Sequence, residues 1–242
     1  MSSHLSGNSF VLNNVYIHSC GTTAGKLEYQ GPLGSFFDQH YPSHRFGHSS
    51  YELAEIAMLQ DAINHCLKKV KKKKEDIDMY FGGDLNNQLT ATNYYGRNLN
   101  RPLIAMYGAC STLGLVIANA SLLINNNAID KAIAFTVSHY ATAERQFRYP
   151  VEYGVQRKDT TTFTATGACA VLLSNKPSKI KVASITTGRV IDLHQDNPND
   201  MPRAMAPAAY DTYINHMHDL NIDGNYYDLI LTGDLSSYGK RL

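Results

Sequence analysis

Two stretches of this chain repeat one another, and the repeat constrains the fold more than any other feature. Residues 61–85 read DAINHCLKKVKKKKEDIDMYFGGDL and residues 211–235 read DTYINHMHDLNIDGNYYDLILTGDL. Each holds INH early, an aspartate just before an apolar run, and GDL after it. Asp61 and Asp211, Asp78 and Asp228, and Asp84 and Asp234 are each separated by 150 residues, and the two INH triplets by 151. A helix, its spacing and a strand agreeing together mark a duplicated supersecondary unit. The first copy continues from its GDL to about Ser174, whereas the second reaches Leu242 soon after its own. The expectation is one and a half copies of a two-copy fold: a first half over 1–178, a second half over 179–242 that is cut short, and strands missing from the second sheet.

Strand and helix patterns alternate along the chain, which predicts an α/β layered fold. Residues 9–19 read as a strand with a turn inside it, and 20–48, rich in Gly, Pro, His and Ser, as irregular structure. Helical spacing of Leu53, Ile56, Ala57, Ile63 and Leu67 predicts a helix over 51–69, capped by Ser49 or Ser50. Short strands are predicted at IDMYFGG and 103–107, and buried strands at 131–137 and 169–174. The helix expected over 111–124 is apolar almost all the way round, so burial on every side is expected for it. Further strands are expected at 180–187 and 227–232, with a helix at 203–218. Between 138 and 168 lies a polar, aromatic stretch of loop character, and long stretches without periodicity tend to be functional.

A formal net charge of +1 gives no basic excess for nucleic-acid binding, and no apolar run approaches the ~20 residues of a membrane span. The N-terminal MSSHLSGNSF has neither a basic nor an apolar region of the secretory kind, so no signal peptide is expected. The lysine run KKVKKKK at 68–74 reads as a solvated helix end, with contact to anionic lipid headgroups as the alternative. Cys20, Cys66, Cys110 and Cys169 are widely spaced, with no CxxC, which points away from a disulfide framework or a zinc site. Cys20, Cys66 and Cys169 read as buried, inert thiols.

Cys110 is different. It sits in GACSTLG (108–114), between a strand pattern and a helix pattern. Helix N–H groups and the macrodipole favour a thiolate there, and the same groups can hold a carboxylate or an oxyanion. Cys110 with Ser111 is therefore either a nucleophile or the floor of a pocket. A nucleophile would need a partner base. The segment 138–157 gathers His139, Glu144, Arg145, Arg148, Glu152 and Arg157 among aromatics. That mixture suits an ordinary salt-bridged loop. It also suits a planar carboxylate, which the rigid fork of arginine matches. Asp84 and Asn87 follow a glycine pair at the carboxyl end of a strand, where open α/β sheets bind ligands.

GTTAG (21–25), GPLG (31–34), GDLNNQ (83–88), GACST (108–112), SHYATAERQFRYPVEYG (138–154), GRVID (188–192), MAPAA (205–209) and LILTGDL (229–235) together resemble the sporulation stage V AD family of the thiolase-like superfamily. The resemblance covers essentially the whole chain. It implies a thiolase-like α/β/α fold of two similar halves. It implies binding of dipicolinic acid (pyridine-2,6-dicarboxylate), alone or as its calcium chelate, and a part in uptake of that acid into the developing spore. Other proteins of the same sporulation operon are the implied partners, at the spore inner membrane, with the chain a peripheral component. Pairing of two copies through a first-half strand is also implied. Cys110 falls at the thiolase nucleophile position, but the later His and second Cys of thiolases lie beyond the matching part of this chain. The resemblance thus implies a binding protein without catalysis or cofactor, with Cys110, Ser111, His139, Glu144, Arg145, Arg148, Asp84 and Asn87 around the ligand.

Overall fold

The computed structural model describes residues 5–148, 158, 160–197 and 200–241. In chain order the elements are β1 (Leu5–Ser6), β2 (Ser9–Val11), β3 (Tyr16–Ala24), α1 (Lys26–Tyr29), β4 (Gln39–His40), α2 (Tyr51–Lys69), β5 (Met79–Asp84), α3 (Thr90–Gly96), β6 (Leu103–Ala105), α4 (Thr112–Asn125), β7 (Lys131–Ser138), β8 (Gly167–Ser174), β9 (Ile180–Lys181), β10 (Ser184–Thr186), α5 (Met201–Leu220) and α6 (Ser236–Gly239). They fall into two compact units. The larger comprises Leu12–Arg148 and Thr164–Val182, and the smaller the described residues of 1–11, 149–163 and 183–242.

The larger unit is built on a mixed sheet of order β4-β3-β8-β7-β5-β6, with β9 also paired to β3. β5 runs parallel to β6 and β7, while β8 is antiparallel to both β7 and β3. Strands covered on both faces carry near-continuous apolar runs, as KAIAFTVS of β7 and GACAVLLS of β8 do. Alternation sends Tyr80, Ile133, Phe135, Ala170 and Leu172 into one core with α2 and α3. The opposite face, at Gly83, meets Thr112 of α4. This is a sheet between helix layers.

Ser50 caps α2, its hydroxyl accepting from the Leu53 N–H. Lys68 and Lys69 lie in the last turn, where the dipole favours cations. Lys69 also pairs with Asp38 at 2.7 Å, and Lys74 lies over the Tyr95 ring. The buried face of α2 is Ala54, Glu55, Met58, Leu59, Ala62, Ile63, Cys66 and Leu67. It is rotated from the expected one: Leu53 is 47% exposed. The rotation follows from Gly21, against which α2 presses its backbone. A Cβ on Gly21 would meet the Ala62 carbonyl oxygen at 1.9 Å. α4 also departs from expectation. It buries Val116, Ala120, Ser121 and Ile124, but Leu113, Leu115, Ile117, Leu122 and Leu123 are not fully buried.

Cys66 is buried as expected and Cys169 only half-buried; the surrounding protein pushes their thiols up to about 11 and about 12, so both are protonated at neutral pH. Cys20 is exposed, against expectation. Ser19, Gly21 and Thr23 turn toward α2, and alternation along β3 sends Cys20 the other way.

In the smaller unit β2 pairs antiparallel with β1 and β10. The expected strand over 180–187 is therefore two, with β9 on β3 of the larger unit and β10 on β2. Asp200 caps α5, which has Pro202 in its first turn and left-handed Asn221 at its end. A directed hydrogen-bond chain ties the unit together. Ser9 Oγ donates to Asp219 at 2.9 Å, so it must accept from Thr186 Oγ1 at 2.7 Å. Thr186 then accepts from His216 Nδ1 at 2.6 Å, and Tyr227 O–H donates to His216 Nε2 at 2.6 Å. The strand expected at 227–232 joins no ladder, and Leu229 and Leu231 are 72% and 80% exposed. An apolar run becomes a strand only where neighbours supply its hydrogen bonds. Its counterpart β5 has both β6 and β7.

Candidate ligand site

β5, β6 and β7 are parallel, so their carboxyl ends emerge on one edge of the sheet. The connection after β6 folds back over β5, the Met106 N–H donating to the Gly82 carbonyl at 2.8 Å. That approach needs glycine at 83, where a Cβ would stand 2.0 Å from the Met106 carbonyl oxygen. Ala109 then takes a left-handed φ of 47° and opens a 3₁₀ turn, Ala109–Ser111, that leads into α4. Ser111 Oγ donates to the Gly108 carbonyl at 2.6 Å. Thr112 Oγ1 donates to the Ala109 carbonyl at 2.8 Å and accepts from the Gly108 N–H at 3.2 Å. These bonds hold a tight elbow with Cys110 exposed at its tip.

Asp84 ends β5 and is fully buried. Its carboxylate accepts from the N–H groups of Asn86 (2.8 Å) and Thr92 (2.7 Å). Burial nevertheless raises its pKa above the ordinary carboxylate value. Asn87 is exposed, and its carbonyl accepts from Thr90 Oγ1 at 2.9 Å. Gln88 and Leu89 follow with φ of 57° and 54°, two successive left-handed residues that are not glycine.

The segment after β7 returns to the same edge, the Glu144 N–H donating to the Leu85 carbonyl at 2.8 Å. Glu144 accepts from Gln146 Nε2 at 2.6 Å. Arg145 and Arg148 are exposed on the turn beyond, and Arg148 Nε donates to the Ala143 carbonyl. Burial, and after it the negative charge of Glu144, of a Cys110 thiolate and of Asp84, pushes the Tyr107 phenol above its ordinary value. Cys110, Glu144 and Asp84 thus all lie within electrostatic reach of Tyr107. His139 is fully buried, and main-chain groups take both its ring nitrogens. Nδ1 accepts from the Ala141 N–H at 3.1 Å, which places the ring proton on Nε2, donated to the His44 carbonyl at 2.8 Å. Glu152 and Arg157 lie outside the described residues.

Sequence reasoning missed Glu55. It lies on the buried face of α2, and its Oε2 accepts from Asn86 Nδ2 and Thr142 Oγ1, both at 2.8 Å. It also missed a hollow of about 580 Å³ in the smaller unit, lined among others by His194, Arg203, Tyr210 and Tyr238. Arg203 there already pairs with Asp200 at 2.8 Å and lies 5.1 Å over the Tyr238 ring.

The sequence model of the stage V sporulation protein AD family matches residues 7–242. This chain belongs to that family. The stage V sporulation protein AD of Bacillus subtilis (strain 168) is 48% identical over 226 residues, which span 93% of this chain and 67% of the relative. Among solved structures, a single-substitution variant of Xanthomonas campestris OleA has a TM-score of 0.63 at 12% identity over 99% of this chain and 80% of its own. The 3-oxoacyl-(acyl carrier protein) synthase III of Xanthomonas oryzae pv. oryzae has a TM-score of 0.59 at 13% identity over 96% of this chain and 80% of its own. At such identities the likeness speaks for fold alone. The fold of this chain is thus the thiolase-like α/β fold. No helix among the described residues is long and apolar enough to cross a membrane.

Proposed function

We propose that the chain is a non-catalytic binding protein for dipicolinic acid, taken as the dianion or its calcium chelate, within the machinery that moves this acid into the developing spore. One observation carries the reading. Two exposed arginines, Arg145 and Arg148, stand on a turn anchored to the same sheet edge as the Cys110 elbow, through the Glu144–Leu85 hydrogen bond. A planar dicarboxylate fits guanidinium forks on one side and the N-terminus of α4 on the other. Asp84 and Asn87 border the same edge, with Ser111 at the elbow. His139 supports it from within as a neutral, fully engaged ring.

Membership of a sporulation family supports this reading over catalysis. Partners from the same operon, attachment to the spore inner membrane and pairing of copies through the edge strand β6 belong to the same proposal. Loss of binding to anionic vesicles on replacing Lys71–Lys74 with glutamine is the expected sign of a membrane contact.

The second reading is an acyl-CoA condensing or thiolytic activity, favoured by Cys110 on its elbow in a fold shared with synthases. The third is a chain without independent function, favoured by the exposure of Leu229 and Leu231. Incubation with acyl-CoA followed by mass spectrometry separates them. The proposal expects Cys110 unmodified and a melting temperature raised by dipicolinate. Acylated Cys110 would establish the second reading, and no response to either ligand the third.

A further inference from the structure

Glu55 is the single acidic side chain on the buried face of α2, and none of it is exposed. Its Oε2 receives two hydrogen bonds, while its Oε1 is buried and meets no donor. The two donors belong to different loops. Asn86 follows β5, and its own N–H holds Asp84. Thr142 follows β7, between His139 and Glu144, and also lies 3.1 Å from the His139 carbonyl. One carboxyl therefore ties together the two loops that carry Asp84, Asn87, Glu144, Arg145 and Arg148.

Among the described residues, the charged groups that act on it most strongly, Glu52 and Asp84, are both negative. Glu52 lies one turn back on α2, and Asp84 comes from the end of β5. The segment after β7 brings His139 and Tyr140, with His139 held neutral by its two main-chain contacts. Of the other elements packed on α2, α3 and β8 contain no charged residue, while β3 carries His18 and β7 opens with Lys131. A buried carboxylate beside these two negative groups costs free energy that a neutral carboxyl does not. Burial pushes the Glu55 carboxyl up to about 7, against the two hydrogen bonds that favour its ionised form.

We infer that Glu55 is a positioning residue that makes anion capture at this edge proton-linked: a dianion held by Arg145, Arg148 and the Cys110 elbow is taken up together with one proton, which passes from solvent to Glu55 Oε1. This rests on the dipicolinate reading and deepens it. The neutral carboxyl keeps Oε2 as acceptor for both loops, so the edge stays in place while one negative charge leaves its vicinity.

The test is calorimetric titration of the 242-residue chain with dipicolinate from about pH 5.5 to 8.5, in buffers of differing ionisation heat. The expected result is constant affinity up to about pH 6.5, then a fall approaching tenfold per pH unit, with up to one proton taken up per ligand. Glu55→Gln is expected to show no break and to keep the low-pH affinity throughout. Thr142→Val removes a donor that favours the ionised form, and should move the break to higher pH. An identical pH profile in wild type and Glu55→Gln, or no proton uptake, overturns the inference and leaves the binding reading standing. A folded chain that binds no dipicolinate at any pH overturns both.

Discussion

Asp84 and Asp234, separated by 150 residues, make the same local bond: each Oδ1 accepts, at 2.8 Å, the N–H of the residue two positions on. The duplicated sequence thus keeps this turn in both copies, although the run before Asp234 forms no strand. The 3₁₀ turns at Lys74–Asp76 and Gly224–Tyr226 keep the same spacing. The surroundings differ. Asp84 is fully buried and also accepts from the Thr92 N–H at 2.7 Å, whereas Asp234 is exposed.

That difference predicts unequal costs. Asp84→Ala leaves two main-chain donors unpaired in the interior and should cost about 2–4 kcal/mol. Asp234→Ala opens only an exposed turn and should cost under about 1 kcal/mol. Chemical denaturation of both variants measures this, and equal losses would contradict the burial assigned to Asp84.

Gly83 admits the Met106 carbonyl, so Gly83→Ala should push the 106–112 connection off β5 and carry Cys110 with it. An overpacking penalty of about 1–3 kcal/mol is expected, with a changed rate of Cys110 alkylation. Thermal melts and timed thiol labelling report the two effects separately.

Ala109 holds a left-handed φ at a cost of about 1 kcal/mol. Ala109→Gly should leave stability unchanged or raise it slightly, while the β-branched Ala109→Val should lower it by more than about 1 kcal/mol. Opposite signs in urea midpoints would match the elbow described.

Much of the larger unit was legible. Ser50 as a cap, helix 51–69 and the buried strands at 131–137 and 169–174 all follow from local pattern. The side of α2 that turns inward did not, because Gly21 on another strand sets it. The apolar run at 227–232 carried a strand pattern but not the neighbours a strand requires. At the candidate site, Cys110 stood out by its flanking glycine and small residues. Glu55 was invisible, since a glutamate within an amphipathic helix reads as solvent-facing until its donors on distant loops are in view.

Stability should also depend on pH through Glu55. Its carboxyl titrates near about 7 in the fold, above the 4.5 of a free glutamate. The folded state therefore keeps a proton that the unfolded chain has lost. This contribution is complete below about pH 4.5 and disappears as the pH rises through about 7. Asp84, also raised, acts in the same direction. The melting temperature of Glu55→Gln relative to wild type should accordingly be higher at about pH 8 than at about pH 5.5. A difference that does not vary with pH would show that Glu55 stays ionised in the fold.

Dipicolinate binding at the Cys110 edge is tested most directly by calorimetric titration of the purified chain with dipicolinic acid, beside Arg145→Ala and Arg148→Ala. Saturable binding is expected in the wild type and at least tenfold weaker binding in each variant, about 1.4 kcal/mol or more. Saturable binding that both variants leave unchanged would contradict the arginine-framed site, and no heat from a folded, monodisperse sample would contradict dipicolinate as its ligand.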